Sequence, residues 1–368
     1  MTLLIFLIIL SVLVFVHELG HFIVAKKSGM NVEEFGFGFP PRLIGVQKKD
    51  GNFKVIWGPK QVQDKQTTVY SINWIFAGGF VKITGENNDD ENHASFVNKP
   101  FSARFFTLTA GVIMNVLLAV VLYAVSFNLG APLMVGERAD LPCPAEGVAV
   151  TIHTVVPGSP ADHAGIKVGD QVLGLDGIQV HDTSDVISYI KTNAGKSFNF
   201  TVRRQQVEHS LAVNSAQTPP PNQGPTGIGL GLFGTVKCSP ALAIKQGVIA
   251  SYYGLINIPL GLYDVFTSGA GFQALGGPVR IYQETDKVKD QAGVQGLIPF
   301  AAFLSLNLAF LNILPIPALD GGRVMFLLIE KIRRKRNRQI VEQTANAIGF
   351  LLLLLLLVAI SIKDVFVR

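Results

Sequence analysis

Long apolar runs set the pattern of this chain. Four of them, Thr2 to Ala25, about Phe105 to Leu129, about Gly296 to Leu314 and about Ala345 to Ile362, are of a length to cross a bilayer, which takes roughly 20 apolar residues. The fourth holds seven consecutive leucines, Leu351 to Leu357. A fifth apolar stretch, Ala241 to Phe266, is interrupted by Gly247, Gly254, Pro259 and Gly261. Its pattern predicts an interfacial or packing helix. The first run lacks the charged start and small-residue cleavage site of a signal peptide. It also carries His17, Glu18 and His21, so it is read as a retained helix.

Between the runs the periodicity changes. Phe53–Trp57, Thr67–Ile72 and Phe80–Thr84 read as short strands separated by Gly-, Asn- and Asp-rich turns. The acidic run Glu86–Glu91 reads as a solvated loop. Further on, Val148–Val156, Val172–Asp176 and Ser197–Arg203 predict strands, with a helix at Asp182–Thr192, and Pro219–Pro221 marks a linker.

Composition agrees with a membrane protein. Of the 368 residues, 49% are hydrophobic and only 15% charged, against about 25% charged in ordinary soluble domains. The net charge of +5 is uneven. Eleven basic residues lie in Lys26–Arg104 and seven in Arg323–Arg338, which assigns both stretches to the cytosol. Gly130 to Gln295 and both termini then lie outside. No basic stretch is interleaved with aromatics in the manner of nucleic-acid binding. Cys143 and Cys238 have no CxxC spacing, which excludes a zinc ribbon or redox motif. They are either two free thiols or a disulfide.

The chemistry concentrates in His17-Glu18-Leu19-Gly20-His21, an HExxH. Positions four apart share one helix face. Two imidazoles there can grip one metal with the glutamate as general base. Such a motif can also be plain polar helix surface, but here its neighbours are Ile, Leu, Val and Phe. Burying two histidines and a glutamate in hydrocarbon costs several kcal/mol unless they are ligated or paired. Catalytic zinc takes three protein ligands plus water. The other five histidines lie outside the apolar runs, which leaves Asp320 in Asn312-Ile313-Leu314-Pro315-Ile316-Pro317-Ala318-Leu319-Asp320-Gly321-Gly322 as the candidate third ligand. The two prolines end a helix and force extended chain. Asp320 then either turns inward to a metal or marks an exposed Asp-Gly turn. On the charge-derived topology, HELGH, Gly111 with Asn115, and Asp320 all fall in the cytosolic half of their spans.

HELGH, Gly111-xxx-Asn115 and NILPIPALDGG together resemble the site-2 protease family, and within it the bacterial regulator-of-sigma-E type. Gly276-Gly277-Pro278-Val279 is similar to a family segment before the third span. Glu34–Leu43 and Gly78–Lys82 resemble its membrane-associated β-loop, and SPA…AGIKVGD…LDG resembles a single bacterial PDZ domain. The resemblance implies a polytopic α-helical membrane protein of about four transmembrane helices, with a cytosolic β-loop and an extracytoplasmic PDZ (α+β) domain. The divisions are residues 1–25, 26–104, 105–129, 135–215 (PDZ), 216–295 (linker and interfacial helix), 296–322, 323–344 (basic, cytosolic) and 345–362. It implies zinc held by His17, His21 and Asp320, Glu18 as base, and Asn312 and Asn115 as groups that bind substrate. The activity implied is regulated intramembrane proteolysis in a bacterial inner membrane. The substrates are single-span proteins such as anti-sigma factors or remnant signal peptides, and no nucleic acid takes part. The rival reading is a catalytically inactive PDZ-bearing scaffold, whose mark would be loss of Glu18 or a ligand.

Overall fold

The computed structural model describes residues 1–49, 51–59, 66–86, 92–134, 143–204, 206–220, 223–267 and 276–366. Four described helices are long and apolar enough to cross a membrane: α1 (Thr2–Lys27), α2 (Phe101–Leu129), α6 (Pro278–Ile313) and α8 (Gln339–Phe366). At about 1.5 Å per residue, the 26 residues of α1 reach ~39 Å, beyond the ~30 Å of a hydrocarbon core. The third helix begins well before the expected residue 296. Gly293 breaks it with φ 59 and ψ −153, so the apolar span is the portion after that glycine. The apolar stretch with internal glycines is a 28-residue helix, α5 (Pro240–Thr267), which carries Pro259 inside it.

The chain divides into two compact units. The first comprises Met1–Tyr123, Gly247–Asp286 and Phe300–Arg368. Its sheet contains β1 (Val32–Lys49), β2 (Asn52–Trp57) and β3 (Val69–Ile83) in the order β2-β1-β3. Two strands had been expected within β3, but it is one. Residues 69–72 oppose Ile44–Gln47, and Gly79–Ile83 oppose Val32–Phe37. Its glycines permit close approach to α1 where a turn had been expected. A Cβ on Gly78 (φ +94) would meet the Val14 side chain at 2.7 Å. Ser11 fastens the same contact, donating to the Phe76 carbonyl at 3.0 Å and accepting from Gly78 N–H at 3.3 Å. Ala25, Met30, Val32, Ile83, Phe96, Leu108, Val324 and Leu327 form one buried cluster. That cluster joins the end of α1, the sheet, the start of α2 and α7 (Asp320–Arg333). Ala119, Ala302 and Leu306 form a second, between α2 and α6.

The second unit comprises Ala124–Gln246 and Lys287–Pro299. Its sheet is built from β4 (Ala131–Met134), β5 (Ala145–Val155), β6 (Gln171–Leu175), β7 (Ile178–Gln179), β8 (Ser197–Arg204), β9 (Val207–Asn214) and β10 (Ile228–Val236). The order is β4-β10-β5-β6-β8-β9, with β7 on β6. The short α3 (Pro160–His163) and α4 (Thr183–Thr192) complete it. Asp182 and Asp185 form a capping box at the start of α4, satisfying amides that the first turn leaves open. Val186 of α4 and Ile152, Leu175, Phe200 and Val202 of the sheet are fully buried in one cluster. β10 falls in the segment expected as linker. Its glycine-rich sequence IGLGLFGTV hides the strand alternation, yet it pairs along β5 from Ile228↔Val155 to Val236↔Ala145. Cys143 and Cys238 form a disulfide. This resolves the choice that their spacing left open.

Candidate metal centre

α1 carries His17 and His21 one turn apart, both buried (6% and 7% exposed). Their Nε2 atoms stand 3.1 Å from each other. Asp320, the first residue of α7, brings Oδ2 to 2.9 Å from His17 Nε2 and 3.3 Å from His21 Nε2. Ligands about 2.0–2.1 Å from a tetrahedral zinc stand about 3.3 Å apart. The three donors therefore form a triangle of the size one zinc ion spans, and they are of the types zinc takes.

The chain segment before Asp320 shows how it is delivered. Pro315 and Pro317 stop α6 from continuing. Ala318 sits at φ 79, a left-handed conformation that an alanine adopts only when its surroundings impose it. Its N–H donates to Asn346 Oδ1 of α8 at 3.0 Å. Gly321 and Gly322 then let α7 pack directly beneath the proline segment. A Cβ on either would lie 2.2 Å from a backbone oxygen, that of Ile313 or Ile316.

Behind each imidazole stands a second partner. His21 Nδ1–H donates to the Thr107 carbonyl of α2 at 2.7 Å, which leaves Nε2 with a lone pair for a metal. His17 Nδ1 lies 3.2 Å from the Asn115 side-chain amide. Asn115 Oδ1 is buried without a partner among the described residues. A metal on His17 Nε2 requires the proton on Nδ1, which donates to Oδ1 when the Asn115 amide is turned that way. Ser305 donates to the Asn115 carbonyl at 2.8 Å, tying α6 to this point. Asn115 is 0% exposed. Its side chain abuts the His17 ring. Gly111 contributes space. A Cβ there would lie 2.5 Å from His21 Nε2 and 2.6 Å from His17 Nε2.

Glu18 is half-buried, within electrostatic reach of His17, His21, Asp320 and Glu86. Asn312 is half-buried, one residue before the end of α6. Three contributors escaped the sequence pattern. The Thr107 carbonyl is backbone and leaves no residue-type signal. Arg323 had been counted only as a charge. Glu86 had been read as the start of a solvated loop, yet it forms an ion pair with Arg323 and its side chain is only 16% exposed. The other residues of that acidic run lie outside the described residues.

Comparison with known proteins agrees with this donor set. The model of peptidase family M50 matches residues 5–356. A Clostridium perfringens protein named as a zinc metalloprotease is 31% identical over 360 residues, covering 98% of this chain and 97% of its own. One from Clostridium acetobutylicum, similarly named, is 30% identical and covers 96% and 94%. The zinc metalloprotease RasP of Geobacillus kaustophilus is 28% identical and covers 98% and 96%. Zinc and the peptidase reaction are thus shared across relatives of nearly the same extent, and the chain belongs to peptidase family M50, the site-2 protease family of membrane zinc metalloproteases.

Proposed function

We propose that this protein is an intramembrane endopeptidase whose zinc is held by His17, His21 and Asp320, with Glu18 as general base. Its substrates are single-span membrane proteins of the anti-sigma-factor or remnant-signal-peptide kind. The observation that carries the reading is the convergence of three zinc-type donor atoms within 4.8 Å, two of them on a helix long and apolar enough to span a bilayer. Bound there, zinc supplies an acidified water and a polarised scissile carbonyl. Glu18 takes the proton of the attacking water and passes it to the leaving amine. Thr107 and Asn115 hold the two rings in their metal-binding tautomer. Asn312 is assigned to the freed backbone of an unwound substrate helix, since a helix keeps its carbonyls in internal hydrogen bonds until it opens. Glu18 and all three donors are intact, which counts against an inactive scaffold.

The orientation rests on charge: the basic stretches Lys26–Arg104 and Arg323–Arg338 are assigned to the cytosol of a bacterial inner membrane. The disulfide supports an extracytoplasmic second unit, because disulfides persist in oxidising compartments. That unit is assigned as a single PDZ domain that contacts the external part of a substrate. The sheet of the first unit exposes Phe53, Val55, Trp57, Tyr70, Ile72 and Trp74. Tyr and Trp favour the membrane–water interface, which supports a membrane-associated β-loop. The test is comparative membrane proteomics of cells carrying wild type or Glu18→Gln. Trimmed single-span proteins should accumulate with the variant. Identical membrane proteomes would refute the assignment of substrate.

A further inference from the structure

The basic sequence after Glu330 does more than set orientation. α7 ends at Arg333, and Arg334 caps it in the left-handed region (φ 53, ψ 24). The chain beyond doubles back over the segment that precedes α2. Arg336 Nη2 donates to the Val97 carbonyl at 3.0 Å, and Lys331 Nζ stands 4.0 Å from the centre of the Phe101 ring. Between the two segments lies a cavity of about 300 Å³. Its lining includes Lys99, Arg104, Lys331, Arg334, Lys335 and Arg336, against one carboxylate, Glu330. That carboxylate is already engaged, since Arg104 grips it with both terminal nitrogens at 2.9 and 3.2 Å.

One observation points to a missing anion. Lys99, Arg334 and Lys335 border the cavity, and no ion pair engages them among the described residues. Lys331, Arg334, Lys335 and Arg336 are exposed, so the group is open to an anion from outside, and guanidinium groups match the oxygens of a phosphate.

We propose that this cavity binds a phosphate ester, with the six cations as its cradle and Arg104 held ready by Glu330. The place of the cavity beside a candidate membrane span fits a lipid headgroup. Phe101 is the first residue of α2, a candidate membrane span, so the cavity opens at the mouth of that span, where lipid phosphates lie. Leu328 and Ile332, one turn apart on α7, are exposed at 42% and 81% and offer apolar surface to an acyl chain. Basic residues beside a membrane span are a recognised basis for anionic-lipid attraction. The site shares no residue with the metal centre, so it stands or falls separately from the assignment of the peptidase ligands.

The test uses the full chain in detergent micelles, with lipid retention read by native mass spectrometry and the unfolding midpoint read in parallel. Phosphatidylglycerol, phosphatidylcholine and inorganic phosphate are the three probes. Wild type should retain phosphatidylglycerol in preference to phosphatidylcholine, and its unfolding midpoint should rise. The variant Lys99→Gln/Arg334→Gln/Lys335→Gln should lose about 100-fold in that affinity, the size expected for three basic residues at a membrane surface. The charge-preserving Arg334→Lys/Lys335→Arg should bind as wild type, and midpoints without lipid report whether each variant is folded. A shift of equal size with inorganic phosphate alone would assign the same site to a soluble phosphate ester. Equal retention of phosphatidylglycerol by wild type and the folded triple variant would overturn the proposal, as would indifference of wild type to all three probes.

Discussion

Two residues that do not touch the metal test how closely the centre is built. Gly111 faces both imidazoles with no side chain, and a Cβ would fall within 2.6 Å of each Nε2. Gly111→Ala therefore should push the rings apart, abolishing zinc retention, at the ~1–3 kcal/mol of folding stability typical of overpacking. A metal assay and a thermal melt check both halves of that expectation. Asn115→Ala should leave the fold intact and weaken zinc affinity by about 10- to 100-fold, the usual scale for an outer partner of a ligating histidine. Chelator competition measures it; unchanged affinity would leave Asn115 as packing only. The HExxH was legible in the sequence because ionisable side chains inside an apolar run need a reason to be there, whereas Asp320, beyond the end of its run, was legible only as a candidate for the third ligand that catalytic zinc requires. Thr107 and Glu86 were not. A backbone carbonyl carries no residue signature, and a glutamate heading an acidic run looks the same whether it faces water or an arginine.

At the scale of elements, apolar length carried the helices, and glycine misled. The four spans were legible from hydropathy, whereas β10 and the middle of β3 were obscured by glycines that serve close packing between neighbouring elements. The strand-to-helix fastening in the second unit provides a pH test. Asp176 accepts from the Asn199 backbone N–H at 2.8 Å and from the Tyr189 hydroxyl at 2.7 Å. Those bonds, the Asn199 amide first, hold its carboxyl below its ordinary value of 3.8. A carboxyl depressed in the folded state adds stability at pH above its unfolded value. That contribution disappears as pH falls through the lower folded value. The acid limb of unfolding below about pH 4 should therefore become shallower in Asp176→Asn, with a lower plateau at neutral pH; this is checked by thermal melts across the acid range. An unchanged acid limb would remove Asp176 from the account.

For the whole molecule, the orientation is the statement most open to a direct check. Both native cysteines are in the disulfide, so an introduced thiol reports alone. A membrane-impermeant reagent applied from outside should label Asn193→Cys and leave Lys335→Cys untouched until the membrane is opened. The opposite pattern would invert the protein and move the basic segments outside. The central claim is narrower: one zinc, held by residues that lie 303 positions apart in the chain. Zinc per chain in purified wild type, His17→Ala, Asp320→Ala and Glu18→Gln tests it most directly, with cleavage of a single-span substrate followed on the same samples. The account predicts about one zinc in wild type and in Glu18→Gln. It predicts little zinc in the two ligand variants, and cleavage reduced at least ~10²-fold in Glu18→Gln. Full zinc occupancy in both His17→Ala and Asp320→Ala, or near-normal cleavage by Glu18→Gln, would contradict it.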